Sequence, residues 1–451
     1  MHKKMTIKSI RNLATCLAIW VIQANAQNPL IMNQFTADPS ARVFGNRVYV
    51  YPSHDILATA ARGRLGWFCM EDYHVFSSED LTNWTDHGVI VTQNNVAWVK
   101  PDSYSMWAPD CIYRNGKYYF YFPTTPKDTT KGKGFTIGVA VADKPEGPFV
   151  PQQQPIKNVR GIDPNVFIDK DGQAYLYWSA GNIYGAKLHE NMLELTSDVV
   201  TLQELPAKGL KEGPFVFERN GMYYLTYPHV ENKIERLEYA IGDNPLGPFK
   251  ITGTIMDESP TGCWTNHHSV IPFKNQWYLF YHHNDLSPNF DKARSIRADS
   301  LSFNEDGSIK KVTPTLRGIG ITKASSTIQT DRYSAISSNG AGIDFLDTTN
   351  RFLGWKTILD QPGAWIQYNT VEFSKTPERK VEIRASTPTG ATVVIRTKDP
   401  SGPVMAEFSI PKGQDWKTLK YPVKGVKGGL QNLVLQIKGP GKVEVDWIRF
   451  E

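Results

Sequence analysis

A repeat constrains this chain more than any other feature. A turn residue followed by a tyrosine-rich strand recurs five times: Gly45 to Tyr51, Asn115 to Tyr121, Asp171 to Tyr177, Asn220 to Tyr227 and Lys274 to Tyr281. The anchoring residues Tyr49, Tyr119, Tyr175, Tyr224 and Tyr278 are separated by 70, 56, 49 and 54 positions. Each copy reads as a hairpin, because Asn-Gly and Asp-Gly supply the left-handed turn that joins twisted strands. Long helical periodicity is absent. All-β units of roughly 40–50 residues with four short strands are propeller blades. Five copies therefore predict a five-bladed β-propeller. A weaker repeat agrees: Asp143-Lys144-Pro145-Glu146-Gly147-Pro148-Phe149 returns as Asp243-Asn244-Pro245-Leu246-Gly247-Pro248-Phe249.

An ionisable residue stands just upstream of each hairpin. Asp38 precedes Tyr49 by 11 positions, Asp110 precedes Tyr119 by nine, and Asp163 precedes Tyr175 by 12. Glu212 precedes Tyr224 by 12 and His267 precedes Tyr278 by 11. Asp-Pro and Glu-Gly-Pro are ordinary turn dipeptides when met singly. Five in register are not explained by turns. Innermost strands line a propeller's channel, so four carboxylates and a histidine are expected on one axis.

Crowded carboxylates split their pKa values. Glycoside hydrolysis needs that split, one carboxyl as acid and one as base, about 6.5–9.5 Å apart in an inverting enzyme. Cation binding by Asp, Glu and His competes for the same residues. Trp107, Phe44, Trp67 and Trp264 lie near the channel motifs and offer faces for sugar rings, although blade aromatics more often pack between blades. Arg294 follows the last aromatic strand, within reach of ligand hydroxyls.

The chain holds 50 Lys+Arg against 45 Asp+Glu, a formal charge of +5. Lys3, Lys4, Lys8 and Arg11 lead into the apolar run Leu13 to Ile22 and then Ala24-Asn25-Ala26, the pattern of a signal peptide spanning 1–26. Removing it leaves 46 basic against 45 acidic residues. The basic excess is then mostly a targeting signal, and nucleic acid is not expected as a partner. Export to the periplasm or the exterior is expected, with no membrane span in the mature chain. Cys69, Cys111 and Cys263 remain, too few for a disulfide framework.

Ala37-Asp38-Pro39-Ser40, Trp107-Ala108-Pro109-Asp110, Gly161-Ile162-Asp163-Pro164, Lys211-Glu212-Gly213-Pro214 and the His267 motif together resemble glycoside hydrolase family 43. So does Ser77-Ser78-Glu79-Asp80-Leu81-Thr82-Asn83-Trp84. The similarity covers about 29–322. It implies a five-bladed propeller that hydrolyses with inversion, Asp38 as general base, Glu212 as general acid, and Asp163 orienting that acid and tuning it. It implies that His267 sits in the central channel beside a Ca²⁺ or another ion, with no organic cofactor. Trp107, Asp110, His267 and Arg294 would form the sugar-binding shell. Members act on arabinose- and xylose-containing plant polysaccharides. The first expectation is an exo-acting α-L-arabinofuranosidase. A β-xylosidase and a non-catalytic carbohydrate-binding propeller are the alternatives. A monomer is expected.

After Ile321 the texture changes. The expected propeller domain spans 27–322. Residues 323–451 alternate apolar and polar, as in Val381-Glu382-Ile383-Arg384-Ala385 and Leu433-Val434-Leu435-Gln436-Ile437. They predict a β-sandwich, jelly-roll-like, so the whole chain is all-β. Gly363-Ala364-Trp365-Ile366-Gln367-Tyr368, Trp416-Lys417-Thr418-Leu419 and Val445-Asp446-Trp447-Ile448-Arg449-Phe450 resemble carbohydrate-binding module family 6. The family's sugar-binding asparagine before the final strand is missing here, where the chain reads Gly441-Lys442-Val443-Glu444. Tyr333 is a candidate aromatic platform, and Trp365 and Trp447 are expected in the core.

Overall fold

A computed structural model describes residues 28–451, apart from 131, 350–352, 354 and 377. The expected leader lies outside the described residues. Regular structure is strand, with a short 3₁₀ turn at Gln93–Asn95 in the first blade's edge.

Five antiparallel sheets follow one another along the chain. Blade 1 comprises Phe35–Phe44, Arg47–Asp55, Met70–Ser78 and Thr85–Thr92; blade 2 comprises Asp110–Arg114, Lys117–Thr124, Thr136–Ala142 and Val150–Pro151. Blade 3 comprises Ile162–Ile168, Ala174–Ser179, Ile183–Lys187 and Val200–Thr201. Blade 4 comprises Phe215–Arg219, Met222–Val230, Glu235–Gly242 and Phe249–Met256, with Leu210–Lys211 added at one end. Blade 5 has three strands, Ser269–Phe273, Gln276–His283 and Ser295–Leu301. The first strand of each blade touches the first strand of the next, and the fifth touches the first. The ring is therefore closed. The start of the chain hooks onto blade 5, where the Leu30 N–H donates to Ile296 O at 2.9 Å.

The repeat works as its turns suggest. Asn115 and Gly116 take φ of 50° and 80°, and Asn220 and Gly221 take 53° and 84°. Asparagine and glycine tolerate that region best. Each seam between blades carries its own apolar cluster, five seams and five clusters. Tyr51, Phe120 and Phe122 fill the first, and Val48, Val50, Ile271 and Phe280 fill the last. The weaker repeat also has a purpose. Tyr51 Oη donates to Pro145 O at 2.6 Å, and Tyr177 Oη donates to Pro245 O at 2.7 Å. Each Asp-x-Pro-x-Gly-Pro-Phe turn thus receives a buried tyrosine from the preceding blade.

The C-terminal part is a two-sheet sandwich. One long sheet runs in the order 322–323, 365–373, 429–437, 391–397 and 404–410. The other runs 341–345, 355–359, 443–450, 380–387 and 413–422. One apolar core lies between them, including Ile366, Tyr368, Phe408, Leu435 and Ile448. Trp365 and Trp447 are not in that core; each is half-buried, because its neighbour in the strand alternation, Ile366 or Ile448, takes the inward position. Propeller and sandwich meet around a cavity of about 830 Å³ lined in part by Asn83, Tyr278, Thr370 and Glu372. Arg317 ties the connecting segment to the sandwich through Asn369 O at 2.7 Å.

Candidate active site

Four of the five repeat residues meet in one pocket. Asp38, Asp163, Glu212 and His267 line a small cavity of about 90 Å³, walled by Trp67, Phe68, Trp107 and Trp264. Arg294 reaches the same cavity. The rings touch one another: Phe68 is 5.9 Å from Trp107 and 6.1 Å from Trp264.

Two strained residues aim their carboxylates. Asp38 has φ +47° and Asp163 has φ +57°. In both strands the pairing register slips at that point, between Ala37 and Ser40 in blade 1 and opposite Tyr177 to Ser179 in blade 3. A bulge turns a side chain out of the strand's alternation. The left-handed backbone costs roughly 1–2 kcal/mol at each, and such strain gathers at functional sites.

Asp110 does not join them, which corrects the expectation that it touches sugar. It is 1% exposed and absent from the cavity wall. Ser40, Asp110 and Asn165 stand opposite Tyr51, Tyr121 and Tyr177, so Asp110 is the counterpart of residues two positions past Asp38 and Asp163. Aligned on Pro39, Pro109 and Pro164, the pocket position of blade 2 is Ala108. The spacing of nine rather than 11 or 12 was the signal. Both Asp110 oxygens are occupied. Oδ1 accepts from Ser40 Oγ at 2.5 Å, Arg42 Nε at 3.0 Å and its neighbour's Cys111 N–H at 2.8 Å. Oδ2 accepts from Arg42 Nη2 at 2.5 Å, Val166 N–H at 2.7 Å and Asn165 Nδ2 at 3.1 Å. Asp110 is a hub that fastens three blades.

The two ends of the pocket differ in charge. At one end, Arg294 Nη1 donates to Asp38 Oδ1 at 2.7 Å, and Ser53 Oγ donates to Oδ2 at 2.7 Å. Arg294 also grips Asp55 through Nε at 2.8 Å and Nη2 at 2.9 Å. His282 Nδ1 accepts from the Asp38 N–H at 3.0 Å, so its proton sits on Nε2 and points to Thr265 O. Burial works against a charged Asp38, but the Arg294 guanidinium and the Ser53 hydroxyl outweigh it and hold the carboxyl down at about 2. Asp38 is therefore a carboxylate.

At the other end there is no cation among the described lining residues. Asp163 is 5% exposed. Its burial, then Glu212, then Asp38 push its carboxyl well above the usual range. Glu212 is raised by burial and by Asp38. The Gly213 N–H donates to Asp163 Oδ2 at 3.0 Å, which pins the loop carrying Glu212. One residue here escaped the sequence reading. Glu235, 2% exposed, lines the cavity and hydrogen-bonds Glu212. Asp55, Ser53 and Glu235 all lie on second or third strands, where no repeat marks them. Asn266 also lines the cavity, and its buried Oδ1 has no partner among the described residues.

His267 is held neutral mainly by burial, with Arg294 adding to it. Calcium takes six to eight oxygen ligands. Beside His267 the protein supplies Asp38, whose oxygens already serve Arg294 and Ser53. The residues present do not make a protein cage for calcium. Among the described residues one group of three has metal-ligand spacing, His54, Asp72 and His74 on blade 1. Its members are closed into hydrogen bonds, His54 Nδ1 with Asp72 at 2.6 Å and His74 Nδ1 with Asp86 at 3.0 Å. Cys69, Cys111 and Cys263 are buried free thiols.

The sandwich has its own concavity of about 400 Å³, lined by Phe345, Lys356, Arg384 and Trp416 among others. Phe345 and Trp355 stack at 4.0 Å, and Arg384 lies over Trp416 at 4.9 Å. Tyr333 instead packs against the sandwich core. Glu444, where the family's asparagine is missing, is paired to Lys356 and Lys442, each at 2.9 Å.

Residues 26–309 match the model for glycosyl hydrolases family 43, and residues 337–451 match that for carbohydrate binding module family 6. Xylosidase/arabinosidase 43A of Humicola insolens is 36% identical over 335 residues, which is 63% of this chain and 99% of that protein. An arabinoxylan arabinofuranohydrolase of Paenibacillus polymyxa is 26% identical over 92% of this chain and 72% of its own length. CoXyl43 is a β-xylosidase/α-arabinofuranosidase from a compost microbial metagenome, solved with xylotriose in a calcium-free form. It is 34% identical, covers 64% of this chain and 98% of its own, and superposes with a TM-score of 0.58.

Proposed function

Because the chain belongs to glycosyl hydrolase family 43 and is thus an inverting glycoside hydrolase, we propose that it releases terminal pentose units from arabinoxylan-type polysaccharide. The observation that carries this reading is the charge split within one aromatic-walled pocket. Asp38, ionised on Arg294, is the general base that takes a proton from water. Glu212, held protonated, gives its proton to the leaving oxygen. Asp163 places Glu212 through the Gly213 N–H, while burial and Asp38 keep the proton affinity of Glu212 high. The small pocket suits one sugar ring at a chain end. Asn266 Oδ1, buried and unpartnered, is an acceptor for a sugar hydroxyl.

Relatives carry both β-xylosidase and arabinofuranosidase names. That supports a pocket that accepts both pentosides, in place of α-L-arabinofuranosidase alone. The aromatic concavity with Trp416 is the natural docking place for polysaccharide on the sandwich. We further propose that the chain is exported, on its N-terminal pattern. The test is turnover of aryl α-L-arabinofuranoside and aryl β-D-xyloside, followed by NMR of the first sugar anomer formed. Both substrates should be cleaved with inverted product. Cleavage of one alone removes the dual reading; a retained anomer removes the roles given to Asp38 and Glu212.

A further inference from the structure

Glu235 has no part in the reading above, yet it is built into the pocket. It opens the strand 235–242, and its N–H donates to Trp264 O at 3.0 Å. One carboxyl oxygen accepts from the Asn266 N–H at 2.5 Å, so the side chain is fixed from both ends. Its remaining hydrogen bond goes to Glu212. Two carboxyl groups can share a hydrogen bond only if one of them holds a proton. The surroundings decide which. Glu212 and Asp163 face Glu235, and the Cys263 thiol is a further neighbour. Arg294, the one cation among the described lining residues, is engaged with Asp38 and Asp55. A charge on Glu235 would have no counterion, and it is the more deeply buried of the pair.

We propose that Glu235 is a positioning residue: a neutral carboxylic acid that donates a hydrogen bond to Glu212 and stabilises the carboxylate left when Glu212 gives up its proton. This rests on Glu212 being the general acid. As the glycosidic C1–O bond breaks, its electron pair goes to the leaving oxygen, which takes the Glu212 proton. Water oxygen bonds to C1 and loses its proton to Asp38. Glu235 keeps its own proton throughout. Its bond to Glu212 strengthens as charge builds there, so it favours the transition state over the ground state. Burial pushes the Glu235 carboxyl well above the usual range, and Glu212 adds to the effect, in keeping with a group that stays protonated.

The test compares Glu235→Gln with Glu235→Leu. Glutamine reproduces both contacts, since its oxygen accepts from Asn266 and its amide donates to Glu212. Leucine reproduces neither. The substrate is xylobiose or an arabinofuranosyl-substituted xylotriose, whichever the wild type cleaves, beside its nitrophenyl analogue. Glu235→Leu should lose about 10²-fold in kcat on the natural substrate, less on the nitrophenyl glycoside, with KM little changed. Glu235→Gln should stay within several-fold of wild type. Wild-type kcat in Glu235→Leu, or equal loss in both variants, overturns the proposal. If Glu235→Leu does not fold, infrared spectra decide. In the wild-type minus Glu235→Gln difference spectrum at assay pH, one protonated-carboxyl C=O component should be lost, while those of Glu212 and Asp163 remain; a difference spectrum without that loss overturns the proposal. Glu212→Gln separates the two readings. If it keeps full activity, the general-acid assignment itself fails. If it is inactive while Glu235→Leu is fully active, only the role of Glu235 fails.

Discussion

Asp38 and Asp163 come from equivalent bulges in two blades, share the same strained backbone and open into the same cavity. They nevertheless sit at opposite extremes of proton affinity. Asp38 has a guanidinium and a hydroxyl on its oxygens, and it is ionised down to about 2. Asp163 has a backbone N–H and two further carboxyls, and its proton is held tightly. One fold position thus yields a base in one blade and a proton-retaining group in another. The difference comes from what surrounds each carboxyl: the Arg294 guanidinium and the Ser53 hydroxyl at Asp38, and burial beside Glu212 at Asp163.

The harshest way to break the contrast is to remove either pole. Asp38→Asn and Glu212→Gln should each lower kcat by about 10³-fold or more on unactivated pentosides, with circular dichroism unchanged. Steady-state kinetics on oligosaccharides checks this. Arg294→Gln should lower activity less, by about 10²-fold, and should move the acidic limb of the pH–rate profile upward by about 1–3 pH units. The sign follows from the site: without the guanidinium, the Ser53 hydroxyl is left to oppose burial, and the Asp38 carboxyl rises. An unmoved limb would mean that Arg294 does not set the ionisation of Asp38.

Asp110 sharpens the contrast from outside the pocket. Asp110→Ala leaves Arg42 without its carboxylate, and should cost about 3–5 kcal/mol of stability. Its pH–rate profile should keep the wild-type limbs. Denaturant melts and kinetics read the two effects separately. The smallest expected effect is a stability difference of opposite sign. Asp38 is depressed in the folded state, so its contribution is present above the ordinary value of 3.8 and lost as pH falls through about 2. That contribution is about 2 kcal/mol at neutral pH. Asp163 is raised, so its contribution is present below 3.8 and lost as pH rises through its folded value. Relative to wild type, Asp38→Asn should therefore lose stability as pH rises from 2 to 4, whereas Asp163→Asn should gain it at higher pH. Melting temperatures across pH check both signs.

Much of this was legible in the sequence because repeats report on geometry. The Asn-Gly turns and tyrosine strands gave the blades, and register across them gave four of the pocket groups. Asp110 shows the limit of that reasoning. Asp110 is past the bulge position and in regular pairing opposite Tyr121, so its side chain takes the rung of Ser40 and Asn165, in a seam and out of the pocket. Aligning the copies on proline rather than on the acid would have found it. Arg294 lines the pocket, yet it holds the base and Asp55 rather than standing free for a ligand. Asp55 and Glu235 could not be found in this way. They occur once each, and a buried acid inside a strand becomes recognisable only when its partners in other blades are known.

The pocket keeps Asp38 as a carboxylate and Glu212 as a proton-bearing acid at the same pH. Carbon-13 NMR of carboxyl-labelled protein, with resonances assigned by Asp38→Asn and Glu212→Gln, measures it directly. At pH 4.5, the ordinary glutamate value, the Asp38 resonance should be that of the ionised form and the Glu212 resonance mostly that of the protonated form. Two carboxyls titrating together through the ordinary range would contradict the account.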